Sequence, residues 1–232
     1  MKINTSNLLT LSALVAGSAL NAASITWTTG TFDNTAPASV LNAENLVYAA
    51  NLNGSDLTVN VSGTDVLFEG TALGGAETGE GLFVFNASGV TNYTDAYWTG
   101  GDASWDSIND SGIYRFNGSN ALQVRLQGLT NGQNYQVQLF ASEDLNAGNR
   151  TSFYSDAASA GNISSELRMG DKDYVVGTFI ASGTTQDIFV QPGNIGVAYL
   201  DAVSLTTIPE PGTYALLAGL LGLSYVAMRR RS

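Results

Sequence analysis

Between Tyr93 and Asp110 the chain reads Tyr93-Thr94-Asp95-Ala96-Tyr97-Trp98-Thr99-Gly100-Gly101-Asp102-Ala103-Ser104-Trp105-Asp106-Ser107-Ile108-Asn109-Asp110, its densest run of aromatic and polar side chains. Flat rings such as Tyr97, Trp98 and Trp105 stack on sugar rings, while carboxylates and amides take up sugar hydroxyls, so the stretch has the chemistry of a carbohydrate-binding surface. The same rings would equally serve as packing anchors for a long loop, with the aspartates solvated. Asp102, Asp106 and Asp110 recur every four residues, as on one helix face, but the surrounding Gly and Ser favour a loop. Nor do they follow the calcium-loop pattern of alternate acids closed by a Glu. Arg150, in an otherwise acidic loop, is a second candidate for clamping a sugar hydroxyl or carboxylate. Its alternative is a structural ion pair with Glu143 or Asp144.

Composition narrows the rest. The 232 residues include no histidine and no cysteine, which removes the usual general base near neutral pH and most zinc, iron and copper ligands. Carboxylates, arginines, tyrosines, hydroxyls and oxygen-held hard cations remain. Paired carboxylates about 5–10 Å apart can hydrolyse glycosides, and Glu143-Asp144 or Glu69, Glu77 and Glu80 are available. Twenty acidic residues make such pairs by chance, however, and nothing marks one out, so no catalytic residue is assigned. The net charge of −11 argues against a nucleic-acid partner, whose phosphates need Lys and Arg.

The elements that would position these residues are β-strands. From Ser24 onward no long segment has helical period. Short alternating apolar runs recur between clusters of Gly, Asn, Asp, Ser and Thr, as in an antiparallel β-sandwich. Expected strands are Ile25–Thr28, Leu46–Ala50, Leu57–Val61, Val66–Phe68, Gly81–Phe85, Ile113–Phe116, Leu122–Leu126, Tyr135–Ala141, Tyr174–Ile180, Gln186–Val190 and Val197–Leu205. Leu122–Leu126 and Tyr135–Ala141 have matching alternation and are expected to pair with each other. Asn53-Gly54, Ser62-Gly63 and Ser182-Gly183 mark turns that tolerate positive φ.

Two stretches carry resemblances to known architectures. Leu129, Gly132 and Tyr135, at three-residue intervals between two strands, resemble the tyrosine corner of Greek-key sandwiches, in which a phenol hydroxyl returns to nearby backbone. The closing run Val197-Ala198-Tyr199-Leu200-Asp201-Ala202-Val203-Ser204-Leu205 resembles the last strand of jelly-roll carbohydrate-binding modules and galactose-binding-like domains. Tyr174–Phe179 and the segment after Gly183-Thr184-Thr185-Gln186 resemble the paired strands before it. That resemblance, which covers roughly Ile113 to Leu205, implies a jelly roll for the sandwich of residues 23–208, with an immunoglobulin-like sandwich as the alternative, and it makes Asp201 the candidate carboxylate for a structural calcium. A solvent-facing strand aspartate is the plainer alternative.

The two ends read as addresses. Lys2, the apolar stretch from Leu8 to Leu20, and Leu20-Asn21-Ala22-Ala23 form a secretory signal peptide over residues 1–22, including its helix. At the other end Pro209-Glu210-Pro211 precedes an apolar segment from Thr213 to Met228 and the cluster Arg229-Arg230-Arg231. Sixteen helical residues reach roughly 24 Å, short of the roughly 30 Å hydrocarbon core but extended by snorkelling arginines, whose charge holds that end in the cytoplasm. The order of these three parts is similar to the PEP-CTERM sorting signal of Gram-negative bacteria. The resemblance implies that residues 209–232 are inserted in the inner membrane as a transmembrane helix and then processed by an exosortase-type membrane protease, in association with exopolysaccharide. A permanent single-span anchor is the alternative. Either way residues 23–208 lie outside the inner membrane. They keep five basic residues against 20 acids if Glu210 is counted, or about −15, a surface that stays soluble and repels polyanions.

The sequence therefore predicts an exported, all-β protein of the cell surface or extracellular matrix that binds polysaccharide without catalysis. A purely structural surface protein and a carboxylate-dependent glycoside hydrolase are the other readings.

Overall fold

The structure, a computed structural model, describes residues 23–31, 41–71, 82–85, 90–94, 103–116, 121–141, 150–159, 161–168, 173–194, 196–209, 212, 219–221, 223 and 228–229. Fifteen strands are formed in chain order: β1 (Thr26–Thr31), β2 (Leu46–Leu52), β3 (Leu57–Val61), β4 (Thr64–Thr71), β5 (Leu82–Phe85), β6 (Val90–Thr94), β7 (Ser111–Phe116), β8 (Leu122–Leu126), β9 (Asn134–Phe140), β10 (Thr151–Ser155), β11 (Leu167–Arg168), β12 (Asp173–Ile180), β13 (Gln186–Pro192), β14 (Val197–Leu200) and β15 (Ala202–Thr207). A short helix, α1 (Ala103–Asn109), precedes β7.

The expected all-β sandwich is present. One sheet has the order β1-β12-β9-β15-β2-β4-β3, the other β11-β10-β13-β8-β5, and a three-stranded sheet, β14-β7-β6, lies beside the second. Among the described residues all pairings are antiparallel except β2 with β4. Successive strands switch sheets, from β8 to β9 and from β12 to β13, which is the connectivity of a jelly roll.

That alternation corrects two expected pairings. β8 pairs with β13 and β5, while β9 pairs with β12 and β15. The matched apolar faces of β8 and β9 belong to opposite sheets and meet across the core through Leu122, Val124, Leu126, Val137 and Leu139. Similarly β12 and β13 belong to different sheets and share no ladder. The arch from β8 to β9 is the expected tyrosine corner: the Thr130 N–H donates to the Tyr135 hydroxyl at 2.9 Å, and the Tyr135 ring stacks on Phe179.

The seven-stranded sheet is buried on both faces, since neighbouring residues of one strand enter different cores. Leu139, Val175 and Val203 face the sandwich interior. Phe140, Val176 and Ala202 belong to a second cluster with Val59, Phe68 and α1. This explains why α1 is helical where Gly and Ser favoured a loop: Trp105 and Ile108, three apart, both sink into that second cluster. Burial of two large side chains outweighs weak local propensity.

The closing strand is also not one strand. It breaks at Asp201, where β14 leaves the three-stranded sheet and β15 enters the seven-stranded one. The Asp201 N–H donates to Phe140 O and its carbonyl accepts from Leu52 N, each at 2.8 Å, so the corner backbone stays paired.

Candidate functional site

At one end of the sandwich the β2–β3 connection, the end of β6, the end of α1 and the start of β7 enclose an open cleft of about 470 Å³. Its described walls are Asn51, Asn53, Gly54, Ser55, Leu57, Thr94, Ser107, Asp110 and Ser111. Amides and hydroxyls predominate, with one carboxylate and one aliphatic side chain.

Each wall has a local cause. Asn51 is the penultimate residue of β2, before Leu52, and is only 3% exposed. Its Nδ2 donates to Ser55 O at 3.0 Å, and its Oδ1 accepts from Ser111 Oγ at 3.1 Å, so one amide ties the β2–β3 turn to β7. The turn passes so close to this amide that a Cβ on Gly54 would lie 2.1 Å from Asn51 Nδ2, so a larger residue there would have to displace the buried amide. Asn53 adopts φ 59°, the left-handed conformation that asparagine tolerates best after glycine. Its N–H donates to Thr71 O and its Nδ2 to Tyr93 O at 2.9 Å. These bonds hold the residue in the cleft wall. Of the expected positive-φ turns, Asn53 and Ser62-Gly63 have that conformation, and Ser182-Gly183 does not.

Behind the cleft lies a cluster of tyrosines. Tyr93 packs edge-on to Tyr199 at 5.6 Å, and Tyr114 stacks on Tyr199 at 5.7 Å. Arg150 donates to the Tyr199 hydroxyl and lies 5.5 Å from its ring centroid, a cation–π position. The Tyr93 hydroxyl donates to Asp201 Oδ1. Burial first, and then the charge of Asp201, hold the Tyr154 phenol well above the ordinary value. The Arg125 guanidinium is raised by its bond to Asp187, at 2.6 and 2.9 Å, on the opposite flank of β8 and β13.

The residues singled out by sequence separate. Trp105 is 5% exposed and packs against Phe68 and Phe140, both ring centroids at 5.8 Å. It is a core residue and offers no face to a sugar, which corrects its assignment as a glycan contact. Tyr97, Trp98, Glu143 and Asp144 lie outside the described residues. Arg150 is placed on Tyr199 and does not line the cleft. Asp201 is wholly buried, so it is not a solvent-facing strand aspartate. Among the described residues no group of three or more His, Cys, Asp or Glu side chains comes together. The Tyr93–Asp110 stretch does reach the cleft, but through Thr94, Ser107 and Asp110. Asn51, Asn53 and Ser55 were not anticipated as lining. A buried Asn near the end of β2, followed by Asn53-Gly54, was the available signal.

Pro209 is exposed just beyond β15, and the Ile208 N–H donates to Asn134 O. Glu210, Pro211, Arg230 and Arg231 lie outside the described residues, as does the expected signal peptide over 1–22. Arg229 is helical and exposed. Among the described residues no helix is long and apolar enough to cross a membrane.

No family model matches the chain, and no curated protein does. Among solved structures it is similar to the plant receptor-like kinase ANX1, at 11% identity over 71% of this chain and 49% of that one, with a TM-score of 0.52. The chain thus spans about half the length of that neighbour. A Bacteroides uniformis β-glucuronidase 2 is similar at 13% identity over 70% and 18% of the two chains, TM-score 0.47. The CBM22-1 xylan-binding domain of Paenibacillus barcinonensis Xyn10C is similar at 10% identity over 59% and 91%, TM-score 0.37. The first likeness establishes a shared fold and nothing about ligand; the other two are too low in TM-score to bear on either.

Proposed function

We propose that this chain is an exported protein of the cell surface or extracellular matrix whose sandwich binds polysaccharide in the cleft without cutting it. The observation that carries the reading is the cleft itself, an open concavity of about 470 Å³ walled by side-chain amides, hydroxyls and one carboxylate. Such groups exchange hydrogen bonds with sugar hydroxyls, and the open shape admits a chain that continues past it. The cleft shows a single carboxylate among its described walls, whereas hydrolysis by paired carboxylates takes two.

Residues 209–232 serve, on this reading, as a sorting signal of the PEP-CTERM kind for an exosortase-type protease. In its support, Leu220, Leu221, Leu223 and Met228 are 54–70% exposed, an apolar surface suited to lipid and costly in water. Retention of the full chain on a glycan array, with and without added calcium, tests binding. Absence of retention on every glycan in both conditions sinks that part and favours a purely structural surface protein. Mass spectrometry of the mature protein from its native host tests sorting: a terminus upstream of Arg229 supports processing, and an intact Ser232 on surface-associated protein contradicts it.

A further inference from the structure

We infer that Asn53 determines what the cleft accepts: its Oδ1 is a fixed hydrogen-bond acceptor that selects glycans with unmodified hydroxyls over the same chains carrying ethers. This rests on the reading of the cleft as a glycan site. The first ground is how the side chain is held. Its backbone is left-handed at φ 59°, its N–H donates to Thr71 O at 2.6 Å, and its Nδ2 donates to Tyr93 O at 2.9 Å. The Tyr93 carbonyl can only accept, so the amide nitrogen must face it and cannot exchange places with the oxygen. Oδ1 is thereby left, in a half-buried residue of the cleft wall, with no protein donor among the described residues. Asn51 beside it differs, because both ends of its amide are consumed, Nδ2 by Ser55 O and Oδ1 by Ser111 Oγ.

The second ground is what each wall group can exchange. Ser55 and Thr94 are exposed, and a hydroxyl either donates or accepts, so each serves an ether oxygen as readily as a sugar hydroxyl. An amide oxygen only accepts, and Asn53 Oδ1 therefore needs a hydrogen from the ligand. Held in place before binding, it loses little freedom when a sugar hydroxyl donates to it. An ether in that position would strip water from Oδ1 and return no hydrogen bond, which weakens binding about tenfold.

Affinity electrophoresis of the full chain tests this, through gels containing dextran, pullulan or galactan, each beside its O-methylated form. At least one unmodified polymer should retard the protein, and its O-methylated partner should bind about tenfold more weakly. Asn53→Gly, in which glycine keeps the left-handed backbone and thermal melting verifies folding, should bind the unmodified polymer more weakly and lose most of that gap. Ser55→Ala, at an exposed position, should weaken binding of both forms together and keep the gap. Equal retardation of the native chain by both forms overturns the role of Asn53 and leaves glycan binding standing. So does an unchanged gap in folded Asn53→Gly, or an equal narrowing in Ser55→Ala, which would trace the gap to the bulk of the methyl groups. No retardation by any unmodified polymer overturns both readings.

Discussion

The Tyr93 hydroxyl donates to Oδ1 of Asp201, a wholly buried carboxylate at the residue where the closing strand passes from one sheet to another. The phenol belongs to β6, beside the cleft, and the carboxylate to the corner that joins β14 and β15. One hydrogen bond therefore links the cleft wall to the central strand of the seven-stranded sheet. Tyr93→Phe removes a donor from a buried acceptor and should cost about 1–3 kcal/mol. The denaturant midpoint should fall with an unchanged slope. An unaltered midpoint would show that the corner does not depend on this bond.

Gly112 is where that corner is tightest. A Cβ there would stand 2.6 Å from Asp201 Oδ1 and 2.8 Å from the Leu200 carbonyl. Backbone cannot yield as a flexible side chain can, so Gly112→Ala should destabilise by about 2–3 kcal/mol. Thermal melting reads this, and a change of under half a kcal/mol would mean the corner relaxes freely.

Trp105 should behave as a core residue. Trp105→Ala should cost about 3–5 kcal/mol and lower the melting temperature, whereas Trp105→Phe should lose less. Under conditions where each variant remains folded, glycan retention should match the native chain. Loss of retention in a folded Trp105→Phe protein would return this ring to the binding surface.

The Tyr48 hydroxyl is buried without a described partner, and burial, reinforced by Tyr135, pushes its pKa far above the ordinary 10.0. In the unfolded chain the phenol ionises near that ordinary value, so its contribution to stability is whole below about pH 10 and is lost as pH rises above it. Tyr48→Phe should be neutral or stabilising by about 1 kcal/mol at pH 7, with a shallower fall in stability between pH 9 and 11. Identical alkaline profiles would contradict the assignment.

Much of the fold was legible where side chains alternate cleanly. β3 and β8 have the boundaries expected from Leu57–Val61 and Leu122–Leu126, and the tyrosine corner was visible in Leu129, Gly132 and Tyr135. β6 and β10 were not expected, because Val90-Thr91-Asn92-Tyr93-Thr94 is mostly exposed and Thr151-Ser152-Phe153-Tyr154-Ser155 buries hydroxyls in place of apolar groups. Strand partners were misassigned because alternation identifies a buried face without identifying which sheet supplies the other half of the core. The break at Asp201 arises from long-range pairing to Phe140 and Leu52, which no local pattern records.

The cleft was half legible. The Tyr93–Asp110 stretch was chosen for its rings, and it reaches the cleft through its small polar residues because Trp105 and Ile108 are drawn into the core. Asn51, Asn53 and Ser55 arrive from a segment some 40 residues earlier, joined to Tyr93 and Ser111 by hydrogen bonds.

The central claim is that this cleft binds glycan through side chains exposed to solvent in the free protein. Isothermal titration of the best-retained neutral polysaccharide into the full chain and into a Ser55→Ala/Thr94→Val double variant tests it most directly. Two lost hydrogen bonds at roughly 0.5–1.5 kcal/mol each should weaken binding about tenfold or more at an unchanged melting temperature. Equal affinity in the two proteins would place any glycan site elsewhere on the sandwich.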